Sequence, residues 1–149
     1  MRVLALLLAL VGACVNGGEL VALPGDEEMA AFVELAQPVL ETRCANASCH
    51  GNAERPLATY AVHRYRLDER DTFVDAPLTP EELGLNHLRA ATFTLDISDA
   101  AESLLWLLPL HGHADVQVFT DPDEFDARRL HAWIEGVLAS RAAGSAEAP

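Results

Sequence analysis

Apolar residues recur with a helical period in two long stretches of this chain, and no stretch shows the sustained alternation of a strand. Phe32, Leu35, Val39 and Leu40 fall at i, i+3, i+7 and i+8 and predict a helix over 27–43, with Pro38 kinking it or restarting it at a first-turn position. Leu130, Trp133, Ile134, Val137 and Leu138 form one apolar face of a second long helix, over 122–140. Three start signals share one arrangement: Thr79-Pro80-Glu81-Glu82, Asp99 with Glu102, and Asp121-Pro122-Asp123-Glu124. Each sets a capping side chain three residues before a Glu, twice with Pro at the first helical position, and they start helices at about 80–90, 99–108 and 122–140. Residues 52–78 mix Pro, Tyr, Arg and Asp without periodicity, and an irregular segment of that length is expected to wrap a functional element. The expected fold class is all-α: one small domain over 27–141 with about four helices and long irregular loops, which is as much core as 149 residues can bury.

The ends of the chain read differently. Residues 1–13, MRVLALLLALVGA, join one positive charge to an apolar run and then small residues, the pattern of an export signal. The run falls short of the roughly 20 apolar residues a spanning helix needs, and no later segment is longer. Val11-Gly12-Ala13-Cys14 resembles the lipobox of bacterial lipoproteins, in which the Cys takes lipid and becomes the first mature residue; cleavage after Val-x-Ala, leaving a soluble periplasmic protein, is the alternative. Residues 14–26 are then a tether between Cys14 and the folded domain, and 142–149 a disordered tail. Val15 after the Cys, rather than Asp, favours the outer membrane over the inner among such lipoproteins.

The charge narrows the partners. The chain carries −13, and removing residues 1–13 takes away only Arg2 and leaves −14. Such a field excludes nucleic acid and favours proteins with basic docking patches, unless acidity here serves solubility alone.

Three cysteines in an exported chain call for an explanation. With lipid on Cys14, Cys44 and Cys49 remain as a pair in Cys44-Ala45-Asn46-Ala47-Ser48-Cys49-His50-Gly51. This C-x4-C-H run is two residues longer between the cysteines than the usual haem c attachment sequence. The two thiols are placed to bond the two haem vinyl groups, and the adjacent His to ligate the iron from the proximal side. Gly51 would let the chain leave close to the porphyrin. Zinc competes for the same residue types, but adjacent Cys49 and His50 suit two different atoms better than one tetrahedral ion. A short disulfide loop is the other competitor, and it leaves His50-Gly51 without a task.

With these residues in place, the chain resembles the cytochrome-c-like domains of bacterial exported proteins and lipoproteins. The resemblance rests on Val39-Leu40 through Cys44 to Cys49-His50-Gly51, and on Leu104 through Pro109-Leu110 and His113 to Trp133-Ile134. It implies a helical domain wrapped around one covalent haem c. Many such domains place a Met on the distal side of the iron, but the methionines here are Met1 and Met29, both upstream of the motif. The resemblance therefore points to His113, which follows a Pro-Leu pair in the loop after the third helix and precedes Phe119 by six residues, although similar domains continue with Gly where this chain has Ala114 and Asp115. His111 or water is the alternative, while His63 and His87 are expected at the surface and His131 at the surface or in packing. Axial His50 and His113 would give a lower potential than His with Met, and so a carrier that relays single electrons between membrane or periplasmic redox partners. An open-site haem enzyme, peroxidase-like or substrate-oxidising, and a non-redox lipoprotein module with a structural Cys-His loop are the other readings.

Overall fold

The computed structural model describes residues 24–146, and among these the chain is all-α with four principal helices. The expected signal at 1–13, Cys14 and most of the tether lie outside the described residues.

Helix α1 runs from Asp26 to Cys44 as a single helical path in which α-helical Asp26–Ala31 and Gln37–Val39 alternate with π-helical Phe32–Ala36 and Leu40–Cys44. Pro38 explains the first widening. It has no N–H to offer the carbonyl four residues back, Glu34, and its ring crowds that carbonyl. The Glu34 carbonyl is taken instead by the Arg129 guanidinium from the last helix. The proline thus bends α1 and also frees an acceptor that ties it to its neighbour.

Helix α2, Pro80–Ala91, begins with a complete capping box: Thr79 Oγ accepts from the Glu82 N–H, and Glu82 accepts from the Thr79 N–H. Helix α3, Leu104–His111, starts later than the Asp99 signal predicts. Asp99 caps only the 3-10 turn Ala100–Glu102, and Ser103, whose hydroxyl accepts from the Leu105 N–H, begins the helix itself. Helix α4, Phe125–Ala146, is preceded by a turn in which Glu124 accepts from Thr120 and Asp121. It runs on to Ala146, past the expected end at 140 and into the stretch read as a disordered tail.

The core lies where α1, α2 and α4 meet. Phe32 stands edge-on to Trp133 with ring centroids 5.4 Å apart, and His87 closes a three-ring cluster at 5.2 Å from Phe32 and 5.8 Å from Trp133. His87 is therefore not a surface residue. It is 1 % exposed, and its Nε2 meets the Glu28 carboxylate at 2.9 Å. Its position on the inner face of α2, between two aromatic rings, left no mark in the local sequence. Val39, Leu40, Leu130, Ile134 and Val137 extend the cluster as their periodicity predicts.

The segment between Gly51 and Thr79 is irregular, as expected, apart from a 3-10 turn at Glu69–Phe73. It folds around buried Arg66, which pairs with Glu82 at 2.9 Å and donates to the carbonyls of Ala76 and Pro77. Burial opposes ionisation of Glu82, but hydrogen bonds from Arg66 and from the Thr79 and Leu67 N–H groups outweigh it and hold the carboxyl at about 2. Asn86 of α2 fixes the middle of the segment by bonding both the N–H and the C=O of Tyr60, and it also donates to Gln37 of α1.

Two outcomes test this account. Arg66→Leu leaves Glu82 as a buried unpaired charge and should cost about 3–5 kcal/mol in urea unfolding, with partial recovery in Arg66→Leu/Glu82→Gln. Burial pushes the His87 imidazole below its ordinary 6.5, only partly opposed by Glu28. The unfolded chain therefore takes up this proton first, and stability contributed by the neutral ring is present above 6.5 and lost as pH falls below it. The pH dependence of unfolding between 7 and 5 should be shallower in His87→Gln than in the parent.

Candidate functional site

Cys44 is the last residue of α1, so helix packing alone places the first thiol against the core. The chain then turns sharply. The Asn46 N–H and the His50 N–H both donate to the Cys44 carbonyl, at 2.9 and 3.1 Å, while the Asn46 carbonyl accepts from Cys49 and Gly51, each at 2.8 Å. The Asn46 side chain accepts from Ser48. The two residues by which this loop exceeds the usual spacing are thus absorbed in a turn organised by Asn46, and His50 is still returned to Cys44.

Gly51 has a task within the loop itself. A Cβ there would overlap the Ala45 carbonyl oxygen and stand 2.9 Å from the Asn46 carbonyl carbon. Glycine is needed because two strands of the loop's own backbone touch. The His50 carbonyl accepts from the Thr59 N–H at 2.7 Å, next to Tyr60, which Asn86 holds. The orientation of His50 is therefore referred to α2 through backbone contacts.

His113 arrives from the opposite side. Gly112, at φ +86°, ends α3 in a conformation that suits glycine. His113 and Val116 then exchange N–H···O bonds at 3.0 and 2.9 Å, closing a tight turn whose central residues, Ala114 and Asp115, have φ of +49° and +63°. Neither position is a glycine, and the backbone adopts the left-handed region without one. Gln117 braces the turn by donating to the Leu110 and Phe119 carbonyls.

The two histidine rings lie close together. Their ring centroids lie 5.9 Å apart with the planes inclined by 35°, although 63 residues of sequence separate them. The Nδ1 atoms of both are buried and have no hydrogen-bond partner. Two metal–imidazole bonds of about 2 Å each, with the reach from nitrogen to ring centre on either side, come to roughly 6 Å. A single metal ion between the rings fits that separation.

The electrostatics favour neutral groups. Burial, and then proximity to His113 and Arg55, push the His50 imidazole below its ordinary value, so the ring is uncharged at neutral pH, as a metal ligand must be. Burial, with Cys49 nearby, pushes the Cys44 thiol up to about 12. A thiolate ligand to zinc would have to ionise at this site, whereas a thioether carries no charge and suits it. Cys44 and Cys49 are both free thiols, and among the described residues no three His, Cys, Asp or Glu side chains gather to hold a metal ion.

The remaining histidines do not join the pair. His111 is exposed on the last turn of α3. His63 is exposed, with Asp75 at 3.5 Å, and His131 is half-buried with its ring edge-on to Trp106 at 4.7 Å. Met29 packs against the core from α1. Sequence reasoning missed Asn86 and Thr59, whose contacts fix the backbone around His50. Compared with protein-family models, curated protein sequences and solved structures, the chain gives no match.

Two backbone substitutions should act with opposite sign. Gly51→Ala forces the Ala45 and Asn46 carbonyls aside and should destabilise the protein by about 1–3 kcal/mol. Ala114→Gly removes a side chain from a left-handed position and should be stabilising by up to about 1 kcal/mol. Chemical denaturation of the two variants beside the parent checks both.

Proposed function

We propose that this chain is an exported protein that carries one haem c, bonded covalently through Cys44 and Cys49 and ligated by His50 and His113, and that it relays single electrons between membrane or periplasmic redox partners. The observation that carries the reading is the pairing of His50 with His113, brought from distant parts of the sequence to 5.9 Å with an unpartnered buried nitrogen on each ring. The buried, uncharged Cys44 and the backbone turn that returns His50 to it are what attachment at adjacent points of one planar group requires.

Bound there, the group supplies a one-electron couple. The chain's own residues determine how it is used. His50 and His113 would both hold the iron, and two imidazoles would favour a lower potential than imidazole with thioether. The His113–Val116 turn and the Thr59 N–H bond to the His50 carbonyl fix the backbone of both histidines, which would limit their rearrangement on a change of charge at the group they hold. Cys14, if lipidated, tethers the domain to a bacterial membrane, the outer one favoured; without lipid the protein is soluble in the periplasm. The net charge of −13 supports partners with basic patches.

The absorption spectrum of the exported protein tests the assignment. It should show a six-coordinate low-spin haem that persists in His111→Ala and becomes high-spin, open to added imidazole or cyanide, in His113→Ala. A spectrum unchanged in His113→Ala, or changed only in His111→Ala, contradicts the ligand set.

A further inference from the structure

The segment from Leu67 to Asp75 carries exposed apolar residues interleaved with carboxylates. Phe73, at the end of the Glu69–Phe73 turn, is 87 % exposed, with Val74 at 47 % and Leu67 at 46 %. Asp68, Glu69, Asp71 and Asp75 alternate with them along the chain; Arg70, the single cation in the span, is paired with Asp68 at 2.5 Å, while Arg66 lies 3.9 Å from Asp71 and His63 3.5 Å from Asp75. The segment is nevertheless firmly mounted. Asp68 caps the turn, and the guanidinium of Arg66 gathers the carbonyls of Ala76 and Pro77 beneath it. A large aromatic held in water on a braced turn, flanked by like charges, has the composition of a docking surface: apolar centre, polar edge.

Its position matters as much. A cavity of about 730 Å³ has Leu67, Glu69 and Thr72 on one side and Asn46, Ala47 and Gly51 of the cysteine loop on the other. The turn that carries Phe73 therefore borders a cavity it shares with the Cys44–His50 loop.

We propose that Leu67–Asp75 is the docking surface for a small basic redox protein, with Phe73 as the apolar anchor and the interleaved carboxylates as the selective rim. The proposal rests on the electron-carrier reading for the identity of the partner. The rim also disfavours an anionic membrane surface, which would repel it.

Mitochondrial cytochrome c, small and basic, serves as the probe in calorimetric titration of the full-length protein. The parent should form a complex that weakens as salt is raised from 10 to about 150 mM. Phe73→Ala should weaken it roughly tenfold, and Glu69→Gln/Asp75→Asn should flatten the salt dependence, while Glu135→Gln on the exposed side of α4 should leave both unchanged. All four changes are at exposed side chains, and matching urea midpoints confirm that folding is intact. The proposal is overturned by the absence of a complex, by an affinity indifferent to Phe73→Ala, or by an equal loss in Glu135→Gln. Phe73-dependent binding to phosphatidylcholine vesicles, or Phe73-dependent self-association, without binding to the probe also overturns it. An intact, Phe73-dependent complex formed by a protein with no haem band counts against the proposed function and leaves this surface standing.

Discussion

The contact of Phe32 with Trp133, with His87 closed against both, sets the angle at which α1, α2 and α4 meet, and the site inherits its geometry from that angle. Cys44 is where it is because α1 ends there; Asn86 can reach Tyr60, and through Thr59 fix the backbone at His50, because α2 lies against α1. Pro38 contributes in the same direction. By withholding one hydrogen bond from α1 it leaves the Glu34 carbonyl to Arg129, so that the bend in one helix becomes a tie to another. Burying the rings of Phe32 and Trp133 is worth several kcal/mol each, enough to fix the scaffold on which weaker polar contacts act.

The two halves of the site are built by opposite means. On the Cys44–His50 side, close backbone contact demands a glycine at Gly51 and places polar atoms of the loop against one another. On the His113 side the turn runs through two left-handed residues, and only Gly112 is a glycine. Backbone strain of this kind is held by its surroundings, here by Gln117 and the His113–Val116 pairing. The Cys44–His50 half carries little charge. An uncharged His50 and a protonated Cys44 sit within a strongly acidic molecule.

The helical content was legible wherever a cap or a period expressed it. The Thr79 capping box, the apolar face from Leu130 to Leu138 and the face from Phe32 to Leu40 all appear where predicted. Legibility failed where a local signal competed with tertiary demands. Asp99 offers a cap but closes only one turn, because Ser103 starts α3. His87 reads as a polar helix residue and is buried, since its partners, Glu28, Phe32 and Trp133, come from remote positions. Glu82 was visible as a capping residue but not as the counter-ion of Arg66, a pairing that shapes the whole irregular segment. Of the candidate site, Cys44, Cys49 and His50 were evident from their spacing. His113 came from likeness to other domains, and the structure brings it to His50 independently.

Mass spectrometry of the exported, denatured and digested protein addresses the central claim most directly. The account predicts one haem retained on the peptide that contains Cys44 and Cys49, lost when both are replaced by Ser. The same peptide recovered with two free thiols, or with a disulfide, from correctly folded protein made in cells able to attach haem would contradict it.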